Sequence, residues 1–236
     1  MTNATPPSSW GLRQVDLLQG LSAERLEALA RQCAWRPFEA GQRLVARDDA
    51  NQDLFFIVGG TVRVTTYSAN GRETSFRELA AGTSFGELSA IDAAPRSADV
   101  VAITSGLIAS LPAPAFRELL RTEWTVTERV LLRLTALARG LMDRVLEVST
   151  LHVHQRVCIE LLRLARAVGC ARNEARIDPV PRHAEIAHRI SSYREQVTRE
   201  LSVLVKSGVL AKSGPALVVR DLERLRQLAE HATPRS

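Results

Sequence analysis

Three patterns of apolar spacing follow one another along the chain. Between Asp16 and Cys33 apolar positions fall at helical intervals, with Leu26, Leu29 and Ala30 on one side and Ser22 placed to cap the start. The stretch is predicted to be a short amphipathic helix. From Trp35 to Leu111 the runs are short, and either alternating or wholly apolar. They are Arg43 to Ala46, Leu54 to Val58, Thr61 to Tyr67, Thr74 to Leu79, Ala98 to Thr104 and Gly106 to Leu111. Turn formers separate them: Gly41, the cluster Asp48 to Asn51, Gly59-Gly60, Asn70-Gly71 and Gly82. This pattern predicts a small β-barrel or sandwich, with a tight hairpin at Asn70-Gly71.

From about Pro114 the period is helical again. A short helix is predicted over Phe116 to Leu120 and a long one over Thr125 to Thr150. In the long helix Leu134, Leu137, Leu141, Val145 and Val148 draw one apolar seam, with Arg133, Arg139, Asp143 and Glu147 off it. Such a seam can pack on the chain's own barrel or on a second copy. Gln155 to Val168 reads as an amphipathic helix and Gly169 to Arg176 as a loop. Glu185 to Arg189 and Arg194 to Ser207 are two helices across the tight turn Ile190 to Tyr193, and Gly208 stops the second. That is a helix-turn-helix. Leu210 to Lys212 and Ala216 to Val219 flank Ser213-Gly214-Pro215 as a two-stranded wing, and Leu222 to His231 forms a last helix. Met1 to Ser9 and Thr233 to Ser236 read as loose ends.

Composition narrows the function classes. A length of 236 residues suits two modest domains. No run reaches the roughly 18 apolar residues of a membrane span, and the N-terminus lacks a signal-peptide pattern, so the expected compartment is the cytoplasm. Cys33, Cys158 and Cys170 are too few and too scattered for a disulfide framework, a zinc site or an iron–sulfur cluster. All five histidines lie at or after position 152, which argues strongly against a barrel enzyme built on clustered histidines and carboxylates. His152 and His154, two apart on a helix, would point away from each other, and no metal site is expected. Residues 152–236 carry 15 Lys+Arg against 9 Asp+Glu, while residues 1–151 carry 16 against 17. The basic excess lies in the C-terminal third, which points to an acidic polymer as its partner.

The densest chemistry is in Phe85 to Val101, FGELSAIDAAPRSADVV. Arg96 offers a planar fork of donors suited to a phosphate, and Ser97 adds a hydroxyl. Glu87 is acceptor-only when ionised, so it would repel a phosphate but accept from a sugar hydroxyl. Gly86 has no Cβ to block close approach of a ligand. The alternative is a purely structural turn closed by a Glu87–Arg96 salt bridge. Gly-Glu-Leu, a spacer from Ser89 to Ala94, then Pro-Arg-Ser-Ala resembles the phosphate-binding cassette of the CRP/FNR family of bacterial transcription regulators.

The resemblance extends from about residue 16 to 230. It implies an α+β fold with an N-terminal double-stranded β-roll, a long dimerisation helix and a C-terminal winged helix-turn-helix. The implied domains are 16–124 for cyclic-nucleotide binding, 125–151 for dimerisation and hinge, and 152–236 for DNA binding. The hinge itself falls at residues 149–155. The implied effector is cAMP or cGMP, held by Gly86, Glu87, Leu88, Ser89, Arg96, Ser97 and Ala98. Leu141 and Met142 stand where a Thr-Ser pair would meet adenine, and neither can donate or accept usefully, so the base stays open. Arg139 and Arg144 are placed to reach a base carbonyl.

Arg-Glu-x-Val-x-Arg, from Arg194 to Arg199, is similar to the family's recognition motif and implies a TGTGA-like palindrome. An Arg can pair with the O6/N7 edge of guanine and a Glu can accept from cytosine N4. Arg194, Glu195, Thr198 and Arg199 would read bases, with Ser192, Tyr193 and Lys206 on phosphates. The resemblance also implies a homodimer, with RNA polymerase as a further partner. The competing expectation within the family is a regulator with a vestigial or different effector pocket that binds DNA without cyclic nucleotide.

Overall fold

The computed structural model describes residues 9–67 and 73–230, and the Asn70-Gly71 hairpin lies outside them. The chain packs as two units that divide between Ala136 and Leu137.

The first unit contains α1 (Ser9–Arg13), α2 (Ala23–Gln32), β1 (Ala34–Phe38), β2 (Arg43–Val45), β3 (Leu54–Gly59), β4 (Thr61–Tyr67), β5 (Glu73–Ala80), β6 (Ser84–Phe85), α3 (Glu87–Asp92), β7 (Asp99–Ala102), β8 (Gly106–Leu111), α4 (Ala113–Thr122) and the start of α5 (Trp124–Thr150). Two antiparallel four-stranded sheets face each other, ordered β1-β8-β3-β6 and β2-β7-β4-β5. Strand β3 explains why its sequence is wholly apolar rather than alternating. Phe55 and Ile57 enter the core between the sheets, while Leu54 and Phe56 enter a second core beneath the helices. Side chains alternate across a strand, so both faces of β3 are buried. In β8, Ile108 faces the sheets and Ala109 and Leu111 face the helices. Fully buried side chains such as Phe56, Ile57 and Phe116 each contribute roughly 1.5–3 kcal/mol.

The second unit holds the rest of α5, then α6 (Val153–Val168), β9 (Ala175–Ile177), α7 (His183–Arg189), α8 (Arg194–Lys206), β10 (Leu210–Ser213), β11 (Ala216–Val219) and α9 (Leu222–Glu230). Its core joins Leu161 and Ala165 of α6, Ile186 of α7, Val197 and Leu201 of α8, Val219 of β11 and Leu225 of α9. The turn between α7 and α8 is fixed by buried charge. Arg156, 8% exposed, donates from Nη1 to the carbonyls of Ile190 (2.6 Å) and Ser191 (3.3 Å). Glu160 accepts from Arg189 at 3.1 Å. The last turns of α5 join this network, because Arg144 donates to the carbonyl of His188 and to Ser191 Oγ (3.1 Å), and Glu147 pairs with Arg163.

Several boundaries differ from the sequence reading. Asp16 to Cys33 is not one helix. A 3-10 turn at Asp16–Leu18 is followed by Gly20 at a φ of +84°, and α2 begins only after Ser22, whose Oγ accepts from Arg25 N at 3.2 Å. Ser9 opens α1 rather than ending a loose segment. Strand β1 was hidden by Pro37, which an edge strand tolerates because its missing N–H faces no neighbour. Ala175 and Arg176, expected in a loop, belong to β9, which adds a third strand to the wing in the order β10-β11-β9. The apolar seam of α5 is divided between two roles. Leu134 packs against the first unit's core, while Leu137, Leu141, Val145 and Val148 remain exposed.

Cys33 and Cys158 are buried and Cys170 is exposed. Burial pushes both buried thiols up to about 12, leaving almost no reactive thiolate near neutrality. In native buffer at pH 8, a chromogenic disulfide reagent is expected to titrate Cys170 quickly and the other two only on unfolding. Rapid release of three equivalents would contradict the packing of both cores.

Candidate functional site

The turn between β6 and β7 walls a cavity of about 200 Å³. All of its lining residues belong to the first unit, and they include Gly86, Glu87, Leu88, Ser89, Arg96, Ser97 and Ala98. The structure therefore gathers seven predicted effector residues around one hollow. Its apolar wall is Val45, Val64, Leu79, Phe85 and Val100.

Arg96 is only 4% exposed, and a charge so buried must be paired. Nη1 donates to the Gly86 carbonyl at 3.1 Å. Nη2 donates to Asn51 Oδ1 at 2.8 Å and to the Asp53 carbonyl at 2.5 Å. The guanidinium lies 5.2 Å from the centre of the Phe55 ring, which stacks on Phe85. Its backbone is held as well: Arg96 N donates to Asp49 O at 3.1 Å, and Asp48 N donates to Arg96 O at 2.9 Å. Burial lowers the guanidinium's pKa from its ordinary value, and Asp53, Asp49 and Glu87 oppose that shift. Arg96 Nε is buried with no hydrogen-bond partner.

Two expectations about this turn need correction. Gly86 adopts a φ of +90°, and a Cβ there would stand 2.5 Å from Arg96 Nη1 and 3.0 Å from Asp53 O. Glycine is thus required by the chain's own arginine and backbone, before any ligand approaches. The structural salt bridge also does not form, since Glu87 makes no ion pair among the described residues and stands half-buried on the wall. Ser97 is exposed, whereas buried Ser89 donates its Oγ to Pro95 O at 3.4 Å, so that hydroxyl braces the turn.

Leu141 and Met142 are exposed side chains of the second unit, as is Arg139. Arg144, expected near a base, is spent on His188 O and Ser191 Oγ. Sequence reasoning missed Asp16, Arg77, Ser84 and Arg133 on the cavity wall. No local motif marks them, because they come from a turn, two strands and a helix far apart in sequence.

On the other unit, Arg194, Glu195, Thr198 and Arg199 are all exposed along the first two turns of α8. The Glu195–Arg199 pairing that would neutralise this face is absent among the described residues. Ser192 Oγ donates to Gln196 Oε1 at 2.7 Å, Tyr193 is exposed before α8, and Lys206 is exposed at its far end. His183 Nδ1 lies 2.8 Å from Thr198 Oγ1. Burial, then the charges of Lys212 and Arg194, lower the pKa of His183. Neither His183 nor Lys212 stood out in the sequence. His154 Nδ1 lies 2.8 Å from Glu200 Oε2.

Residues 35–123 match the cyclic nucleotide-binding domain family, and residues 155–228 match the Crp-like helix-turn-helix domain. The chain belongs to the CRP/FNR family. A CRP-like cAMP-activated global transcriptional regulator of Mycobacterium tuberculosis is 26% identical over 219 residues, covering 92% of this chain and 98% of that one. The cyclic AMP receptor protein of Thermus thermophilus is 29% identical, covering 90% and 96%. In structure, a CooA mutant from Carboxydothermus hydrogenoformans aligns with a TM-score of 0.73 over 96% of this chain and 98% of that one, at 16% identity. This CRP/FNR member thus joins a cyclic nucleotide-binding domain to a DNA-binding helix-turn-helix. No helix among the described residues is long and apolar enough to cross a membrane.

Two outcomes follow for this CRP/FNR protein. Gly86→Ala is expected to cost roughly 1–3 kcal/mol of stability, from a positive φ and a displaced Arg96, as read by denaturant melts. Wild-type stability would refute the clash. For His183 the folded pKa lies below the unfolded one. The unfolded chain therefore takes up the proton first, and stability falls as pH drops below about 6.5. His183→Gln is expected to flatten part of that fall between pH 7 and 5.5. A slope equal to wild type would remove His183 as a contributor.

Proposed function

We propose that the protein is a homodimeric transcription regulator switched by a cyclic mononucleotide, cAMP or cGMP, and that it binds a TGTGA-like palindrome. The observation that carries this reading is Arg96. It is buried in the cavity wall and held rigid by three acceptors, yet its Nε–H and one Nη1–H are left without a partner. A buried donor without an acceptor costs about 1–3 kcal/mol, and an anion bound beside Arg96 would offset that cost. A nucleotide phosphate at Arg96 and Ser97, with its ribose hydroxyl on Glu87, satisfies both ends. Backbone groups of Gly86, Leu88, Ser89 and Ala98 complete the cradle. The relatives named above, one a cAMP-activated regulator and the other a cyclic AMP receptor protein, support the same effector class.

The exposed seam of Leu137, Leu141, Val145 and Val148 supports pairing of two α5 helices. In the dimer Leu141 and Met142 would close on the base by apolar contact. We take residues 16–124 as the effector domain, 125–151 as the dimerisation helix and hinge, and 152–236 as the DNA-binding domain. The nucleotide favours one arrangement of the paired helices, which sets the two α8 helices one DNA turn apart, about 34 Å. It shifts that equilibrium only by its differential affinity for the two states. Arg194, Glu195, Thr198 and Arg199 then read bases, and Ser192, Tyr193 and Lys206 meet phosphates. The polymerase is the further partner of a protein so placed.

The test is fluorescence anisotropy with a labelled TGTGA palindrome, with no nucleotide, with cAMP and with cGMP. Saturating nucleotide is expected to tighten DNA binding by about 5- to 150-fold. Arg96→Ala is expected to abolish the response while sedimentation still shows a dimer. Equal affinity in all three conditions would leave the ligand-independent reading standing instead.

A further inference from the structure

We propose that Arg133 is the second cationic anchor of the anionic effector, and that Asp16 competes with the effector for it. This inference rests on the effector reading above. It starts from a shortage of donors at Arg96. Of the five N–H groups of that guanidinium, three are committed to Gly86, Asn51 and Asp53, which leaves one Nη1–H and the buried Nε–H for a phosphate. A phosphate diester in a largely apolar hollow presents two charged oxygens with several lone pairs each, and these two N–H groups do not satisfy them all.

Three arginines line the cavity: Arg77, Arg96 and Arg133. Arg77 is exposed on β5. Arg133 projects from the first-unit part of α5, and its side chain is 27% exposed. Its Nη1 donates to Ser84 Oγ at 2.8 Å, two residues before Gly86. Its Nη2 spans both oxygens of Asp16, at 3.3 and 3.2 Å. Asp16 is half exposed, and its Oδ1 also accepts from Leu17 N at 2.8 Å, so this carboxylate keeps a partner when Arg133 leaves. The pair is therefore an exchangeable one, with an exposed carboxylate at one end and a cavity-facing cation at the other. A phosphate entering the cavity offers Arg133 a second anion in a less hydrated place, where charge pairing is stronger.

The geometry assigns the two residues opposite effects on affinity, and a merely structural ion pair does not. If Arg133 and Asp16 only brace the Asp16–Leu18 turn, removing either loosens the cavity and weakens binding. If they compete, removing the carboxylate frees the cation. The experiment is calorimetric titration of the full-length protein with cAMP and with cGMP, for wild type, Arg133→Gln, Arg133→Lys and Asp16→Asn. Arg133→Gln is expected to weaken binding by about 10- to 150-fold, the range of a hydrogen bond to a charged group. Arg133→Lys is expected to recover part of that loss, since it restores the charge without the fork. Asp16→Asn is expected to tighten binding by roughly 2- to 5-fold, the range of a partly exposed pair. Wild-type affinity in Arg133→Gln overturns the inference, and so does equal or weaker affinity in Asp16→Asn. If Arg133→Gln does not fold, Arg133→Lys and Asp16→Asn decide it between them. Failure of wild type to bind either nucleotide would instead remove the effector reading itself.

Discussion

Holding a guanidinium out of water is the constraint around which the first unit is arranged. Arg96 sits under a turn with too little exposure to be solvated, so the surrounding chain has to supply acceptors. Segment 49–53 does so through Asn51 Oδ1 and Asp53 O, Gly86 does so through its own carbonyl, and the Asp49 carbonyl takes the Arg96 backbone N–H. Asn51 Oδ1 serves twice, because it also accepts from Asp53 N at 2.9 Å. The turn is thus tied at its Arg96 end to a loop some forty residues earlier in the chain. Phe55 and Phe85 form the platform beneath the cation, and both belong to the core between the sheets. Ligand chemistry and core packing share side chains here, so the site is as rigid as the roll that carries it.

The second unit repeats the device for a different purpose. Arg156 and Glu160 are buried charges on α6, and both find partners at or near the turn between α7 and α8. Ser191, at a φ of +51°, is the strained residue of that turn and receives Arg144 as well. A buried ion pair is weak evidence for stability but a strong constraint on geometry. It fixes where α8 leaves the turn, and that in turn fixes how Arg194, Glu195 and Arg199 face solvent.

How much of this was legible beforehand depended on locality. The cassette from Gly86 to Ala98 and the helix-turn-helix were readable because each compresses its chemistry into one short stretch with a fixed spacing. Most strands were readable from turn residues and apolar runs. Strand β1 was not, since Pro37 argues against a strand unless the edge position is known, and β9 was not, because ARI carries no strand signature by itself. The role of Gly86 was read as room for a ligand, when the neighbour that needs the room is Arg96. The wall contributed by Asp16, Ser84 and Arg133 had no signal at all, as only the fold brings those positions together. The same is true of His183 beside Thr198.

The extra strand of the wing has a mechanical consequence. Strand β11 is paired along both edges, with Leu217 opposite Lys212 on one side and Ile177 on the other. Ile177 and Leu217 are also core residues of the unit. The hairpin is therefore not a flap that swings to meet whatever lies beside it. Its tip at Gly214 is held at one height by the scaffold rather than left free to shift.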